Sequence, residues 1–339
     1  MVLIYSVTHF LVDFACAFMV FRGIVSTPYS SLCILLYNFC AFAVQMPLGI
    51  LADKCNRNYL FAVSGCIFVG AAYGLLIVPV AAVIIAGLGN AMFHIGGGVD
   101  VLNISENKCA SLGVFVSPGA WGIYFGTIFG RGDGLTSVPV VLALFAAAGL
   151  ILATYRAQRG AYPKNAAFSI SNLASRQMIY AAACLFLVVC LRSYVGLTLN
   201  FSWKSTGYWG LALVCAVVLG KTAGGFAADR FGVMKTTFIS LWAAAFLFMF
   251  PQMPLSGVTA VLLFNMTMPI TLWVMAKIFP GAKGFSFGLL TFGLFLGFLP
   301  VYLGVNVPPD ASWPFALAAA ASFALIGIGL HKANIWHTR

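Results

Sequence analysis

Twelve long apolar stretches follow one another along the chain, and they constrain its fold more than any other feature. A helix needs about 20 apolar residues to cross the hydrocarbon core of a bilayer. We therefore predict an all-α membrane protein with twelve transmembrane helices. They are expected over residues 2–24, 29–52, 59–78, 80–101, 109–130, 136–155, 176–200, 207–228, 235–252, 255–277, 283–304 and 312–331.

Composition supports this class and argues against the soluble ones. Of the 339 residues, 62% are hydrophobic and 7% are charged, whereas a soluble domain carries about 25% charged residues. The first stretch has neither a basic segment before it nor an obvious cleavage site, so we interpret it as a spanning helix rather than a signal peptide. The nine cysteines include no C-x-x-C pair, and neither a metal centre nor a disulfide framework is predicted.

The basic residues assign an orientation. The net charge of +11 is distributed over short loops, which indicates membrane topology rather than nucleic-acid binding. With the N-terminus inside, three basic loop residues face outward, Arg22, Arg131 and Lys204, and thirteen face the cytoplasm. The positive-inside rule then predicts that both termini are cytoplasmic, in a plasma (inner) membrane. The cytoplasmic set is Lys54, Arg57, Lys108, Arg156, Arg159, Lys164, Arg176, Arg230, Lys235, Lys277, Lys283, Lys332 and Arg339.

One long polar connection separates the helices into two groups of six. We predict an N-terminal bundle over residues 1–155, a cytoplasmic linker over 156–175 and a C-terminal bundle over 176–339.

A loop segment occurs once in each half, displaced by 176 positions. The two copies are Gly49-Ile-Leu-Ala-Asp53-Lys-Cys-Asn56-Arg57 and Gly225-Phe-Ala-Ala-Asp229-Arg230-Phe-Gly232. The glycine allows a neighbouring helix to approach closely. The aspartate can accept hydrogen bonds from the free N–H groups at the start of the next helix, where the helix dipole also favours negative charge.

This repeated segment resembles the loop signature of the major facilitator superfamily, G-x-x-x-D-x-x-G-R-R/K. Asn56 replaces the glycine of the first copy, and Lys235 replaces the arginine after Gly232 in the second. Asparagine tolerates the left-handed backbone that such a turn needs. The resemblance implies two six-helix repeats with a substrate site between them near the middle of the membrane. In that family Arg57, Asp100 and Arg230 would belong to the gating loops.

Helix 5 carries a second motif of this kind. Gly113, Ser117, Pro118, Gly119 and Gly122 resemble the pattern G-x-x-x-G-P-x-x-G of the antiporter branches, with serine for the second glycine. Proline and glycine bend a membrane helix and let it pack closely. With the short segments of helices 1 and 4 described next, the chain resembles the fosmidomycin-resistance type of efflux transporter.

Polar side chains inside the spans are the candidates for chemistry, because they are costly in hydrocarbon. His9 and Asp13 lie four residues apart on one face of helix 1. Asp13 is predicted to couple proton movement to transport, with His9 assisting. The alternative is a permanently neutral Asp13 bonded to another helix.

Two further ionisable groups are candidates for the substrate cavity. Arg192 stays charged and has no carboxylate within a helical turn, so we expect it to meet water, an anionic substrate or Asp13. His94 in helix 4 is equally compatible with hydrogen-bonded packing.

Asp100 is predicted to pair with Arg57 or another basic loop residue. Asn38, Asn265 and Tyr194 complete the cavity candidates, and interhelical hydrogen bonding is the alternative for the two asparagines.

The sequence therefore predicts a proton-coupled secondary transporter that moves a small organic solute by alternating access, with efflux by antiport favoured. The alternatives are uptake of an anionic metabolite by proton symport and a membrane protein with no transport role. We recognise no catalytic Ser/His/Asp set and no cluster with metal-ligand spacing, so an enzyme is not predicted. The expected partners are the lipid bilayer, protons and the solute, with no cofactor, metal or nucleic acid, and the protein is expected to be a monomer.

Overall fold

The computed structural model describes residues 1–105 and 108–335; Arg339, one of the predicted cytoplasmic residues, lies outside them. Within the described residues the secondary structure is helical and includes no strand, so the predicted all-α class is confirmed. The α-helices are α1 (Val2–Met19), α2 (Ser30–Asn38), α3 (Gln45–Cys55), α4 (Asn58–Ala72), α5 (Pro79–Ile104), α6 (Ala110–Val116), α7 (Pro118–Arg131), α8 (Ser137–Ala157), α9 (Arg176–Thr198), α10 (Trp209–Phe231), α11 (Val233–Leu247), α12 (Pro254–Asn265), α13 (Thr267–Ile278), α14 (Lys283–Tyr302) and α15 (Trp313–Lys332).

Several of these helices join end to end to form the membrane spans. Among the described residues, eleven continuous helical stretches are long and apolar enough to cross a bilayer, and α11 is a twelfth, shorter apolar helix of 15 residues. The composite stretches are α2 with α3, α6 with α7, and α12 with α13. Eleven of the twelve predicted spans thus correspond to helical stretches of spanning length, and the predicted span over 235–252 corresponds to the shorter α11.

Local sequence explains where the helices break and end. Pro118 has no backbone N–H and disfavours helical geometry in the residue before it, and α6 gives way to α7 at Ser117. At the two loop segments, α3 ends at Asn56 with φ 49°, and α10 ends at Gly232 with φ 90°. Both residues tolerate this positive φ, as the sequence predicted for Asn56.

The chain forms two compact units. Unit 1 comprises residues Met1–Ile104, Pro118–Phe168 and Gly281–Phe292, and unit 2 comprises Ser105–Ser117, Ser169–Pro280 and Gly293–Arg339. Unit 1 therefore contains α1–α5, α7, α8 and the first half of α14. Unit 2 contains α6, α9–α13, α15 and the rest of α14. The division into bundles at residues 156–175 stays a prediction.

Glycine positions allow the helices of unit 1 to pack at backbone distance. A Cβ placed on Gly65 of α4 would lie 2.4 Å from the backbone nitrogen of Phe93 in α5, and one on Gly122 of α7 would lie 2.3 Å from the backbone oxygen of Phe10 in α1. Neither position has room for a methyl group. Close packing of small residues is the usual means by which membrane helices associate, and here it joins α4 to α5 and α7 to α1.

Candidate functional site

Four polar side chains from α1 and α5 meet inside unit 1. The Nε2 atom of His9 lies 3.2 Å from Oδ2 of Asp13 and 2.9 Å from Nε2 of His94. The side-chain amide of Asn90 donates a hydrogen bond to Oδ1 of Asp13 at 3.1 Å. All four residues are buried. The structure therefore brings His94 to the His9–Asp13 pair that the sequence singled out, and it adds Asn90.

The hydrogen bonds define where the protons of this cluster are. Nδ1 of His94 lies 2.9 Å from the backbone oxygen of Asn90. A carbonyl oxygen only accepts, so this nitrogen carries a proton. Nε2 of a neutral His94 is then an acceptor, and Nε2 of His9 must donate to it. The same N–H of His9 faces the Asp13 carboxylate, so a single proton is shared at the centre of the cluster.

A divalent cation is the other group that this cluster could hold. One ligand atom from each of His9, Asp13 and His94 lies within 4.8 Å of the others, and three protein ligands can form a zinc site. The 2.9 Å separation of the two Nε2 atoms is a hydrogen-bond distance, however, and the proton that it requires occupies the lone pair a cation would need. The geometry therefore fits a proton better than a metal ion.

Helix α7 completes the wall of this cluster. A Cβ on Gly119 would lie 2.4 Å from Oδ2 of Asp13 and 2.5 Å from Nε2 of His9. Glycine is thus the residue type that leaves space for the His9–Asp13 pair. Two members of the helix-5 motif, Gly119 and Gly122, have this packing role against α1, which the sequence could not assign to a particular neighbour.

Of the other members of that motif, Gly113 and Ser117 lie in unit 2, and Pro118 lies in unit 1. A Cβ on Gly113 would lie 2.6 Å from the backbone oxygen of Lys221 in α10. The hydroxyl of Thr222, also in α10, donates to Ser117 at 2.9 Å. Ser117 and Pro118 form the break between α6 and α7, so one motif contributes to the packing of two units.

Arg192 is the buried cation of unit 2. Its guanidinium donates to the hydroxyls of Thr267 at 2.9 Å and Thr271 at 3.3 Å, both in α13. The remaining nitrogen, Nε, is buried without a hydrogen-bond partner. Two neutral hydroxyls do not neutralise the charge of an arginine, so the site retains positive charge. Pairing of Arg192 with Asp13 stays a prediction.

The remaining cavity candidates make local contacts. The amides of Asn38 and Asn265 donate to the backbone oxygens of Ile34 and Val261, one turn earlier in their own helices. These bonds give neither asparagine a partner on another helix. Tyr194 is half-buried on α9. A role for these three residues in a cavity stays a prediction.

The two loop aspartates bind the N-termini of helices in equivalent ways. Asp53 accepts hydrogen bonds from the backbone N–H groups of Gly284 at 2.8 Å and Phe285 at 2.9 Å. The sequence predicts donors from the next helix, α4, and that detail is wrong. The donors belong to α14, because α3 crosses α14 at backbone distance: a Cβ on Gly49 would lie 2.1 Å from the backbone oxygen of Gly284.

The second copy repeats this arrangement in unit 2. Asp229 accepts from the backbone N–H groups of Cys109 at 2.6 Å and Ala110 at 3.0 Å. A Cβ on Gly225 would lie 2.7 Å from the backbone oxygen of Cys109. In both copies a carboxylate receives the free N–H groups at a helix start, where the helix dipole favours negative charge. The motif residues Arg57 and Arg230 are exposed.

Asp100 has different partners from those predicted. It is fully buried in α5 and accepts hydrogen bonds from Tyr5, Tyr162 and Asn58, at 2.7, 2.5 and 2.8 Å. No ion pair with Arg57 is present among the described residues. Three neutral donors satisfy the carboxylate without a cation, so the predicted pairing was wrong.

This network also fixes the segment that follows α8. Besides Tyr162, the segment contributes Asn165, whose amide donates to the backbone oxygen of Ala52 at 2.9 Å. The side chains of Asn58 and Asn103 both donate to Asn165, at 2.7 and 2.8 Å. Sequence reasoning missed these residues. One signal was available: Tyr5 precedes His9 and Asp13 at the same four-residue interval.

Comparison with known proteins gives a consistent result for the fold. No protein-family model and no curated protein matches this chain. Solved structures do match: a major facilitator superfamily transporter, FucP, in the outward conformation has a TM-score of 0.66 at 15% identity, covering 97% of this chain and 98% of FucP. A structure of the E. coli fucose:proton symporter FucP gives 0.64 at 13% identity, covering 96% and 97%. The human organic anion transporter MFSD10 gives 0.65 at 14% identity, covering 99% and 98%.

The chain therefore has the major facilitator fold. Its membrane-spanning helices and the two aspartate-capped helix crossings agree with the resemblance drawn from the loop segments. At these identities the similarity establishes the fold, and function has to be argued from the residues of this chain.

Proposed function

We propose that this protein is a proton-coupled secondary transporter that moves a small organic solute across the plasma membrane by alternating access. The His9–Asp13–His94 cluster carries this proposal, because it places a carboxylate and two imidazoles in hydrogen-bond contact inside a spanning unit. Efflux by antiport is the proposed direction, on the resemblance to the fosmidomycin-resistance type. We also propose that the protein is a monomer with both termini in the cytoplasm.

The cluster links its protonation state to helix geometry. When His94 is neutral, its Nε2 accepts the proton of His9 across 2.9 Å. A second proton on His94 would place two N–H groups against each other at that distance. To relieve that contact the rings would separate, His94 would turn toward the Asp13 carboxylate, which lies 3.8 Å away, or His9 would carry its proton on Nδ1 instead of Nε2. Proton uptake is thereby tied to the hydrogen bonds between α1 and α5.

Such a link is what a coupled transporter requires. A proton can shift a conformational equilibrium only when the two conformations bind it with different affinity. In the observed arrangement, Asp13 has Asn90 as a donor and the two histidines as neighbours. A conformation that moves α1 relative to α5 would change the number of these contacts. The proton affinity of the cluster would change with it.

The surroundings of Arg192 favour a solute that carries an anionic group. Its guanidinium is buried, bonded to two threonines, and has one nitrogen without a partner. An oxyanion would supply the missing acceptor and the missing charge. This observation also favours the second candidate function, uptake of an anionic metabolite by proton symport. The structures similar to this chain include both a proton symporter and an organic anion transporter.

The proposal is tested with Asp13→Asn, which imitates a permanently protonated carboxylate. Purified protein is reconstituted in liposomes, and flux of three labelled probes is followed: the phosphonate fosmidomycin, L-fucose and a small organic anion such as benzoate. For the probe that the native protein moves, a pH gradient should no longer drive accumulation by the variant, whereas exchange of labelled for unlabelled probe should continue. The sign of the gradient that drives native accumulation separates antiport from symport.

The control is Asp133→Asn, since Asp133 pairs with Arg22 on the surface with its side chain fully exposed. It should accumulate the probe as the native protein does. Accumulation by Asp13→Asn at the native level would contradict the proposed coupling role. Absence of saturable flux for every probe with native protein would contradict transport of these solute classes.

A further inference from the structure

A basic cavity lies at one end of unit 1, away from the histidine cluster. It is open to solvent on one side, has a volume of about 390 Å³ and is lined by Asn56, Arg57, Asn58, Tyr59, Tyr155, Arg159, Tyr162, Pro163 and Lys164. These residues come from the loop between α3 and α4, the start of α4, the end of α8 and the segment after it. They lie at the ends of spans, where a bilayer meets water.

The charge of this lining has one sign. It contains Arg57, Arg159 and Lys164 and no carboxylate. All three cations are exposed, and none forms an ion pair with a described residue. A site that gathers three unpaired cations around a concave surface attracts anions, and arginine offers planar donor pairs that match phosphate oxygens.

The base of the cavity also favours an anionic ligand. Helix α4 begins at Asn58, so its first N–H groups and its positive dipole end lie at the lining. The Asp100 carboxylate beneath the base of the cavity is fully buried and satisfied by three donors, two of them the lining residues Asn58 and Tyr162. Burial and the neighbouring Asp100 raise the pKa of Tyr162 well above its ordinary value, so this phenol stays neutral.

From this combination we infer that the cavity formed by Arg57, Arg159, Lys164 and the N-terminus of α4 binds a phosphate-bearing anion. The anion is either the headgroup of an acidic phospholipid or a free phosphate. A lipid can supply this anion because each of the two helices that contribute to the lining also carries an exposed apolar side chain: Leu60 of α4 is 37% exposed and Leu150 of α8 is 52% exposed. Basic pockets at this level of membrane proteins bind such headgroups.

The test uses purified, delipidated full-length protein in a neutral detergent. Three probes are compared: dioleoylphosphatidylglycerol, dioleoylphosphatidylcholine with the same acyl chains, and inorganic phosphate against chloride at equal ionic strength. Binding is measured as the shift in Tm during titration and as the number of probe molecules retained in native mass spectrometry. The inference expects the native protein to bind phosphatidylglycerol or phosphate and to show little preference for phosphatidylcholine.

Two matched triple variants identify the site. The first is Arg57→Gln/Arg159→Gln/Lys164→Gln. The second, Arg176→Gln/Lys235→Gln/Lys332→Gln, removes the same number of exposed charges outside the cavity. Each basic residue near a membrane surface contributes about 1 kcal/mol to binding of anionic lipid, and every 1.4 kcal/mol is about tenfold. The cavity variant should therefore bind the anion on the order of 100-fold more weakly, while the control should bind like the native protein.

The outcomes separate the sources and can overturn the inference. Loss of phosphatidylglycerol binding in the cavity variant alone supports a lipid site, and the same pattern with phosphate alone supports a soluble anion. Equal binding by the cavity variant and native protein overturns the inference, as does an equal loss in both triple variants. If the cavity triple fails to fold, Arg159→Gln is compared with Arg176→Gln, where about a fivefold difference is expected and equality overturns the inference.

Discussion

Replacing Gly119 by alanine tests whether the packing of α7 against α1 maintains the proton cluster. The added methyl group would lie 2.4 Å from Oδ2 of Asp13 and 2.5 Å from Nε2 of His9. Real Cβ atoms essentially never approach another heavy atom within 3.0 Å. Both side chains must therefore move, although the two helix backbones can stay where they are.

The size of the movement follows from these distances. To reach 3.0 Å, the carboxylate oxygen has to retreat by about 0.6 Å and the imidazole nitrogen by about 0.5 Å, since repulsion rises steeply inside van der Waals contact. Their separation is now 3.2 Å, so a shift of this size can stretch it beyond the roughly 3.5 Å limit of a hydrogen bond. Losing a hydrogen bond to a charged group costs about 2 kcal/mol. That cost corresponds to roughly a 30-fold change in an equilibrium constant.

Two matched variants separate this effect from a general effect of alanine. Gly149→Ala lies within α8 and has no atom within 4 Å of its new Cβ, so it should behave like the native protein. Gly122→Ala would place Cβ 2.3 Å from the backbone oxygen of Phe10, which cannot rotate away. It should lower the Tm more than Gly119→Ala does. Gly119→Ala should instead keep most of its stability and lose pH-driven accumulation in proteoliposomes.

Accumulation is measured over a range of internal pH, together with exchange of labelled for unlabelled solute and with Tm in detergent. The reasoning predicts impaired accumulation, preserved exchange and a modest fall in Tm for Gly119→Ala. Native pH dependence and native accumulation in a folded Gly119→Ala protein would refute the claim that this glycine maintains the His9–Asp13 pair.

Three further outcomes are expected. Asp53→Ala leaves two N–H groups of α14 without their acceptor, so it should slow transport with little change in KM. The exposed variant Asp133→Ala is the control, and a native transport rate in Asp53→Ala would contradict the capping role. Arg192→Lys should impair transport despite keeping its charge, because one ammonium cannot reproduce the planar donors that reach two threonines, and normal flux by the variant would exclude a substrate role. Burial and a neighbouring aspartate raise the pKa of Cys109, so its thiol should resist labelling by maleimide at pH 8, whereas the exposed thiol of Cys55 should react. Equal labelling rates for the two cysteines, each measured in a protein with no other cysteine, would contradict this.

The fold was predictable because it depends on features that are visible directly in the sequence. Apolar length sets the spans, and the turns of the repeated segment depend on residue types that tolerate positive φ, as Asn56 and Gly232 do. The pair of His9 and Asp13 was also visible, since four residues place two side chains on one face of a helix. These features depend on residues that are close together in the sequence, so they can be recognised from the sequence alone.

The parts that were missed depend on contacts between distant helices. Asn90 meets Asp13 across 77 positions, and Tyr162 meets Asp100 across 62. Periodicity identifies the buried face of a helix but does not identify the face packed against it. The assumed Arg57 partner of Asp100 failed for the same reason: three neutral donors reach the carboxylate from α1, α4 and the segment after α8.

The two aspartate-capped crossings have equivalent geometry but opposite timing during synthesis. Asp229 is made 120 residues after the helix start that it binds, so its partner is already present. Asp53 precedes its partner by 231 residues. At a ribosomal rate of about 5–20 residues per second, it waits roughly 10–50 s for α14. Unit 1 is therefore completed only after α14 has been made, and until then the face of α3 that carries Gly49 and Asp53 lacks its partner helix.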